Sequence, residues 1–510
     1  MLTEGVLGEA FLMWSEQYGH TFSFGSLSDR RAFTTEPEHI KAILATQFQD
    51  FEKGLAFAES TDALTGAGVF NSDGGFHRTT TRPFFSKARI SDFDNFDRHA
   101  VSTISQIKMR LKEGYPVDFQ DAVSRFTMDS ATEYLFGKDV NSIAAGLPYP
   151  AGSPMAGSLH FVNHPSNSFV EAFAKAQEQI SIRVQKCPSW PLSELWADEV
   201  QPLREVINGF VQPLLSETLN RKAKGIKAVG LDKDLESMTL LDRLVQDIDD
   251  PKVVQDELLN VLMAGRDTTS SLLTFAVYMM CEHPDMAARL RSEILEKVGN
   301  GKPTYDDIRD MKYLRAFLNG TRTIGYALIE TSSHRVRILF FCGAVLMLAF
   351  SISSSRVATT LPNKGGTPYY IPRGTRVVYS VFLMHRRTDL WGPDALEFDP
   401  DRFLDSRVHK YLTPNSFIFT PFNAGPRICL GQQFAYNEAS YYLVRLLQTF
   451  SSFSLAMDAQ PPQGIPPKSW TRTPGTTKGR EKIMLGRHLS LYAKAGLWVR
   501  MEEAKEEATS

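Results

Sequence analysis

Cysteine is scarce in this chain of 510 residues, and its four copies stand far apart. Cys187, Cys281, Cys342 and Cys429 form no Cys-x-x-Cys pair. This spacing excludes a disulfide framework and a paired-cysteine zinc site. The sequence therefore predicts a protein of a reducing compartment.

Net charge and long apolar runs are also nearly absent. A formal charge of −2 argues against nucleic acid or an anionic membrane surface as the main partner. Glu4 and Glu9 interrupt the N-terminal stretch, which therefore predicts neither a signal peptide nor a spanning helix. The apolar run 338–352 is shorter than the roughly 20 residues that a spanning helix needs, so we expect it to be buried.

Helical patterns dominate from about residue 90 to about residue 300, and strand-like runs lie towards both ends. The longest helix pattern has Asp250 as its N-cap, Pro251 as its first residue and Pro284 beyond its end. Its centre is apolar on nearly every side, which predicts burial. Strand patterns occur at 376–384, 489–493 and 496–501. We expect a mainly α fold with a small β region (α+β), in one domain spanning residues 1–510.

The segment PFNAGPRICLG, residues 421–431, places Cys429 just before a helical pattern. A helix N-terminus and the neighbouring Arg427 both favour a thiolate. Gly425 and Gly431 allow the backbone to turn sharply and to approach a flat group closely. This combination suits a thiolate metal ligand. Two alternatives stay open, a buried structural cysteine and a nucleophile that needs a histidine from elsewhere in the chain.

The segment AGRDTT, Ala264 to Thr269, interrupts the apolar centre of the longest helix. Gly265 costs about 1 kcal/mol inside a helix, and a buried acid or hydroxyl needs a partner. Asp267 beside Thr268 therefore predicts a proton relay. The alternative is a threonine that bonds back to the preceding turn beside an aspartate paired with a basic side chain.

Three motifs together resemble the cytochromes P450. The pattern Phe422-x-x-Gly425-x-Arg427-x-Cys429-x-Gly431 matches their haem-binding signature, and AGRDTT matches the motif of their central helix. The segment FDPDRF, residues 398–403, is similar to the one whose arginine, here Arg402, locks the structure behind the haem. The sequence as a whole is most similar to those of fungal microsomal P450s of the alkane and fatty-acid hydroxylase kind.

The resemblance implies a cytochrome P450 fold with haem b between the long central helix and the cysteine loop. It assigns Cys429 as the axial thiolate of the iron, and Arg78 and Arg427 as partners of the haem propionates. Asp267 and Thr268 would guide protons, while Ala264 and Gly265 would leave room for oxygen and substrate. The other haem-binding positions are Phe422, Gly425 and Gly431.

The activity implied is that of a haem-thiolate monooxygenase, which inserts one oxygen atom from O2 into C–H bonds of fatty acids, alkanes or aromatic xenobiotics. Electrons would come from NADPH through NADPH–cytochrome P450 reductase, at the cytosolic face of the endoplasmic reticulum membrane. We expect the pocket to be lined by residues 55–75 and 159–230 and by the long helix near Leu262 and Ala264. Phe57, Leu64 and Phe70 are candidate lining residues.

The sequence departs from the family pattern at three places. A Glu-x-x-Arg pair is expected to hold Arg402, but Gly320 and Thr323 stand at those positions. Residues 321–355 therefore look like a foreign insert. Gly74 stands where the family has a tryptophan four residues before the arginine matched by Arg78. The membrane anchor expected of microsomal members is not found at residues 1–20.

Two other hypotheses about the function remain. A haem-thiolate isomerase or peroxygenase needs no reductase, but the intact AGRDTT motif argues against it. A catalytically impaired relic, or a mis-spliced gene product, would account for the missing Glu-x-x-Arg pair.

Overall fold

The computed structural model describes a helical body with four small sheets. It describes residues 9–26, 29–72, 81–91, 93–186, 189–224, 238–324, 351–363, 365–472, 477–487 and 490–505. The longer helices are α1 (Glu9–Tyr18), α3 (Leu55–Thr65), α5 (Asp94–Lys112), α6 (Phe119–Phe136), α8 (Pro165–Lys186), α9 (Gln201–Ala223), α10 (Leu240–Asp247), α11 (Pro251–Glu282), α12 (Pro284–Val298), α14 (Lys312–Ile324) and α17 (Gln432–Thr449). The short helices are α2 (Pro37–Lys41), α4 (Lys87–Ile90), α7 (Leu159–Val162), α13 (Tyr305–Asp310), α15 (Val381–Met384), α16 (Thr388–Trp391) and α18 (Thr477–Arg480).

The strands lie mostly towards the two ends of the chain. They are β1 (Thr21–Ser26), β2 (Asp29–Thr34), β3 (Phe51–Glu52), β4 (Val117–Asp118), β5 (Ser351–Ser355), β6 (Thr359–Leu361), β7 (Tyr369–Ile371), β8 (Arg376–Tyr379), β9 (Phe450–Leu455), β10 (Leu485–Arg487), β11 (Leu491–Ala493) and β12 (Trp498–Glu503). The largest sheet has the order β1-β2-β8-β5-β3, with β2 and β8 parallel and the other pairs antiparallel. The predicted mainly α fold with a small β region is confirmed.

Helix α11 runs through the core, and its predicted ends are confirmed. The Asp250 carboxylate accepts a hydrogen bond from the Lys252 amide at 2.8 Å, and Pro251 is the first helical residue. The helix stops at Glu282, before Pro284. It packs against α6, α14 and α17, and most of its side chains are buried. This burial sets a strict condition, because every polar residue along the helix needs a partner inside the protein.

One sequence expectation changes near the large sheet. Residues 376–384 were expected to form one strand, but only β8 is extended and residues 381–384 form helix α15. The reason is local, because the Ser380 hydroxyl accepts from the Leu383 amide at 3.1 Å and caps a helical turn.

Both ends of the stretch 321–355 are parts of the fold. Thr321 is buried in α14, and β5 lies between β8 and β3 in the largest sheet. Residues 325–350, with most of the apolar run 338–352, lie outside the described residues. The foreign origin of that segment stays a prediction.

Glu438 is a fully buried acid on α17 that sequence reasoning missed. Its Oε1 accepts a hydrogen bond from the Ser130 hydroxyl of α6 at 2.8 Å. Burial raises the pKa of Glu438 to about 8, because desolvation outweighs the hydrogen bond from Ser130. The side chain is therefore neutral at pH 7 and joins α17 to α6 without a buried charge.

The burial of Glu438 generates a pH-dependent prediction. In the unfolded chain this carboxyl ionises near its usual pKa of about 4.3, so folding holds a proton that the unfolded state has lost. The stability of the folded protein is therefore penalised as the pH rises from about 4.5 to 8. We expect Glu438→Gln to gain stability over the wild type across this window, by at most about 1.4 kcal/mol per pH unit.

Urea unfolding at pH 5 and pH 8.5 measures this difference. The exposed Glu502 gives the control Glu502→Gln, for which we expect no such trend. A pH-independent difference between Glu438→Gln and the wild type would contradict a neutral, buried Glu438.

Candidate active site

The cysteine loop, residues 420–431, folds back on itself just before α17. The Cys429 amide donates to the Phe422 carbonyl at 3.0 Å, and the Ile428 amide donates to the Gly425 carbonyl at 3.1 Å. Gly431 is the N-cap of α17, so Cys429 precedes the helix by two residues, as predicted. The Cys429 side chain is exposed, which disfavours the alternative of a buried structural cysteine.

The two glycines of the loop have different structural roles. Gly425 has a φ of +57°, and an added Cβ would lie 2.5 Å from the Leu44 carbonyl oxygen. Only glycine fits this close approach without strain. Gly431 has an ordinary φ of −84°, and the nearest atom to an added Cβ would be Phe85 Cε1 at 3.9 Å.

Helix α11 carries a half-exposed strip amid otherwise buried residues. Val261, Ala264, Gly265 and Thr268 are partly accessible, whereas Leu262 is fully buried. The spacing of three and four residues places the strip on one helix face. An added Cβ on Gly265 would have Ala131 Cβ at 4.0 Å as its nearest neighbour, so there is open space beside it. Ala264 lies on this strip, whereas Leu262 is buried in a core cluster, and the role of this helix face in lining a substrate pocket stays a prediction.

Asp267 and Thr268 have the geometry of the alternative hypothesis, in which the threonine bonds back to the preceding turn and the aspartate pairs with a basic side chain. The Thr268 hydroxyl donates to the Ala264 carbonyl at 2.8 Å, so it bonds back to the preceding turn. The Asp267 carboxylate pairs with the Arg266 guanidinium, and both side chains are largely buried. The helix stays continuous through this segment.

Of the two arginines predicted to pair with the haem propionates, only Arg427 lies within the described residues. Arg78 and the nearby Gly74 lie outside the described residues. Arg427 donates to the Phe51 carbonyl of β3 and, at 3.2 Å, to the Ser353 hydroxyl of β5. These bonds fasten the cysteine loop to the largest sheet.

Arg402 is buried without the expected Glu-x-x-Arg pair, with only 4% of its surface exposed. Its Nη2 donates to the carbonyls of Asp394 and Glu397 at 2.7 and 3.0 Å, and lies 3.5 Å from the Asp394 carboxylate. Among the described residues its Nε has no hydrogen-bond partner. Burial therefore lowers the pKa of Arg402, although Asp394 partly opposes this effect.

At Gly320, where the family pattern has a glutamate, the space for a side chain is occupied by a neighbouring residue. An added Cβ would lie 3.1 Å from Cε2 of Phe398, whose ring packs edge-on against Phe317. The Phe398 ring thus covers this helix face, and the side chain of Thr323 is not described. The expected carboxylate has been replaced by an apolar contact.

Sequence reasoning missed Arg322, which lies one position before Thr323. Its Nη2 donates to the Pro421 carbonyl at 2.8 Å, and its guanidinium lies 3.8 Å from the centre of the Phe422 ring. Helix α14 therefore still holds the start of the cysteine loop through an arginine. A search at a fixed Glu-x-x-Arg spacing could not find it, although its position beside the expected arginine was a signal.

Of the candidate pocket residues, Phe57 and Phe70 are half-buried. Leu64 is buried in a cluster with side chains of α8, α9 and α11, so its predicted role as a lining residue is not supported.

Comparison with known proteins identifies the family. Residues 2–321 and 350–478 match the family model described as Cytochrome P450. The relative "Cytochrome P450 monooxygenase himC" of Aspergillus japonicus is 32% identical over 87% of this chain and 73% of its own length. "Cytochrome P450 52A3-A" of Candida maltosa is 33% identical over 84% of this chain and 77% of its own length. "Cytochrome P450 52E1" of Candida apicola is 34% identical over 84% of this chain and 77% of its own length.

The chain belongs to the cytochrome P450 family, as the three motifs predicted. It is a monooxygenase of that family, whose members use haem, O2 and a redox partner and act generally on apolar substrates. These similarities favour an enzyme over an impaired relic. The family match omits residues 322–349, which lie within the stretch 321–355.

The described residues fit a haem with a thiolate ligand. Such a site needs an accessible thiol and a helix face free of bulky side chains. The exposed side chain of Cys429 meets the first need, and the strip containing Ala264 and Gly265 meets the second. Helix α17 packs against α11, so the helix that follows the thiol and the helix that carries the strip are neighbours.

No helix within the described residues has both the length and the apolar character needed to cross a bilayer.

The contrast between the two loop glycines generates a prediction. Gly425→Ala should lower the free energy of unfolding by more than about 2 kcal/mol, because left-handed backbone strain of about 1–2 kcal/mol adds to a steric clash with residues 44–45. Gly431→Ala is the matched control and should cost less than about 1 kcal/mol. Urea unfolding compares the two variants, and equal midpoints would show that the packing of Gly425 against Leu44 is not needed.

Proposed function

We propose that this enzyme is a haem-thiolate monooxygenase in which Cys429 is the axial ligand of haem b iron. It inserts one oxygen atom from O2 into C–H bonds of fatty acids, alkanes or aromatic xenobiotics. NADPH–cytochrome P450 reductase supplies the electrons. The enzyme acts at the cytosolic face of the endoplasmic reticulum membrane.

The observation that carries this proposal is the exposed thiol of Cys429 at the N-terminal end of α17. The amide groups at a helix N-terminus favour an anion, so a thiolate is stabilised there. The loop geometry supports the same role, because the Cys429 amide is fixed by the Phe422 carbonyl and cannot turn away. When bound, the haem supplies the oxygen activation and the oxidising power.

The protein groups on α11 hold and move protons. The Thr268 hydroxyl lies on the half-exposed strip, and its bond to the Ala264 carbonyl fixes its position. Asp267 is adjacent and is held by Arg266. A rotation of the Asp267 carboxylate away from Arg266 would let it pass a proton towards Thr268. The small side chains of Ala264 and Gly265 leave room for oxygen and substrate.

The loop after α8 supports a place at a membrane surface. Leu192, Leu195 and Trp196 are exposed together, and Trp196 is 97% exposed. Tryptophan at a bilayer surface places its apolar ring in the interface while its N–H stays hydrated. Apolar substrates dissolved in the bilayer would then lie close to the enzyme.

The ligand assignment is tested by substituting cysteines one at a time. The reduced wild type with carbon monoxide should give the red-shifted Soret band of thiolate-ligated haem, and Cys429→Ala should lose it. Cys281→Ala is the matched control, because burial raises the pKa of the Cys281 thiol far above its usual value, and it should keep the band. A Cys429→Ala protein with an unchanged spectrum would refute the ligand, and a wild type without haem uptake would refute the activity.

A further inference from the structure

The turn after α3, residues 65–72, is held by another part of the chain. Helix α3 ends at Thr65, and the next residue, Gly66, has a φ of +48° and an amide that donates to the Asp62 carbonyl at 2.8 Å. The Gly68 amide donates to the Thr65 carbonyl at 3.1 Å, and the Ser72 amide donates to the Gly68 carbonyl at 3.0 Å. Three other amides of the turn point away from it.

These three amides donate to three polar side chains near the N-terminal end of α11, which we call the polar clamp (Asp256, Glu257 and Asn260). The amide donors and their acceptors are Ala67 with Asp256 (3.1 Å), Val69 with Glu257 (2.8 Å) and Phe70 with Asn260 (2.9 Å). The Asn260 amide also donates to the Thr65 carbonyl at 2.7 Å. All three side chains of the polar clamp are buried, whereas Ala67 is exposed and Val69 and Phe70 are partly buried.

Helix α9 joins the same cluster through Arg204. The Arg204 Nη2 lies 2.7 Å from Asp256 Oδ1, and its Nη1 donates to the Leu64 carbonyl. Lys252 reaches the other Asp256 oxygen at 2.9 Å from the solvent side. One buried carboxylate therefore ties together α9, α11 and the end of α3.

The sequence of the turn is adapted to this close approach. An added Cβ on Gly66 would collide with the Asp256 carboxylate, and one on Gly68 would collide with the Asn260 side chain. Glycine at both positions is therefore a steric requirement of the polar clamp.

The polar clamp lies on the same helix as the half-exposed strip. Asn260 precedes Ala264 by one helical turn, so the two residues share a helix face. The turn that Asn260 grips carries Phe70, which is half-buried and packs against the core cluster of Leu64. The position of Phe70 relative to the half-exposed strip is thus set by hydrogen bonds from α11.

We propose that the polar clamp is a positioning element that determines substrate size, because it fixes the turn carrying Phe70 beside the haem-facing strip. This inference rests on the proposed function. Loosening the turn frees the Phe70 ring from its fixed position, so discrimination between short and long fatty acids falls. Asp256, Glu257 and Asn260 touch the turn and not the substrate, and they act through Phe70.

The first test measures the turn itself and needs no haem. Asn260→Leu removes the acceptor for the Phe70 amide and keeps the branched shape and the number of side-chain heavy atoms, and hydrogen exchange in residues 65–72 should quicken up to about tenfold. Asn437→Leu is the matched control, because Asn437 is equally buried and its amide bonds the Ile90 carbonyl instead. Gly68→Ala displaces the turn from the opposite side and should give the same effect if Asn260→Leu fails to fold. Glu257→Gln keeps an acceptor oxygen and should leave the exchange unchanged.

The second test measures selectivity in the haem-loaded protein. The ratio of the spectral dissociation constants for dodecanoic and hexadecanoic acid should move at least threefold towards unity in Asn260→Leu, and stay unchanged in Glu257→Gln and Asn437→Leu. Unchanged exchange in both Asn260→Leu and Gly68→Ala overturns the polar clamp. Faster exchange with an unchanged ratio overturns its role in substrate size. If the wild type binds no haem, both the proposed function and the role of the polar clamp in substrate size are overturned. The hydrogen-exchange result still decides whether α11 holds the turn.

Discussion

Burial of α11 along nearly its whole length is the constraint on which the other features of this enzyme depend. A helix in that position is surrounded by protein, so the polar side chains that it carries need partners inside the protein, on the same helix or on a neighbouring element. Asp256 and Asn260 find the turn after α3, and Asp267 finds Arg266. These pairings fix what packs against each turn of the helix, and the half-exposed strip at Ala264 is the part left open.

The environment of Arg402 illustrates how a fold tolerates the loss of a buried ionic pair. Removing one partner of such a pair typically costs 3–5 kcal/mol, because a charge is left in a poorly solvating place. Here backbone carbonyls of Asp394 and Glu397 replace the lost acceptors, and Phe398 covers the helix face at Gly320. Arg322 adds a cationic contact with the ring of Phe422. The cysteine loop is thus held from behind by a different set of contacts from those that the family pattern implies.

The fold class, the ends of α11 and the position of Cys429 were predictable from the sequence, because caps, prolines and glycines act locally. The family followed from three motifs in register. The polar clamp was not predictable, since residues 67–70 and 256–260 are far apart in sequence and meet only in the folded chain. Arg322 was missed for a related reason, because a one-residue offset changes the helix face by about 100° and a fixed spacing cannot follow it. The hydrogen bond of Thr268 to Ala264 is local, and the sequence allowed it as an alternative hypothesis.

The anchoring of both ends of the segment 325–350 has a consequence for how this gene can change. Helix α14 is fixed by its packing in the core on one side, and β5 is fixed on the other by strands on both of its edges. The entropic cost of joining two fixed points grows only logarithmically with the number of residues between them, at about 0.6 kcal/mol for each doubling. A change in the number of codons between these two anchors is therefore expected to cost the rest of the protein little stability.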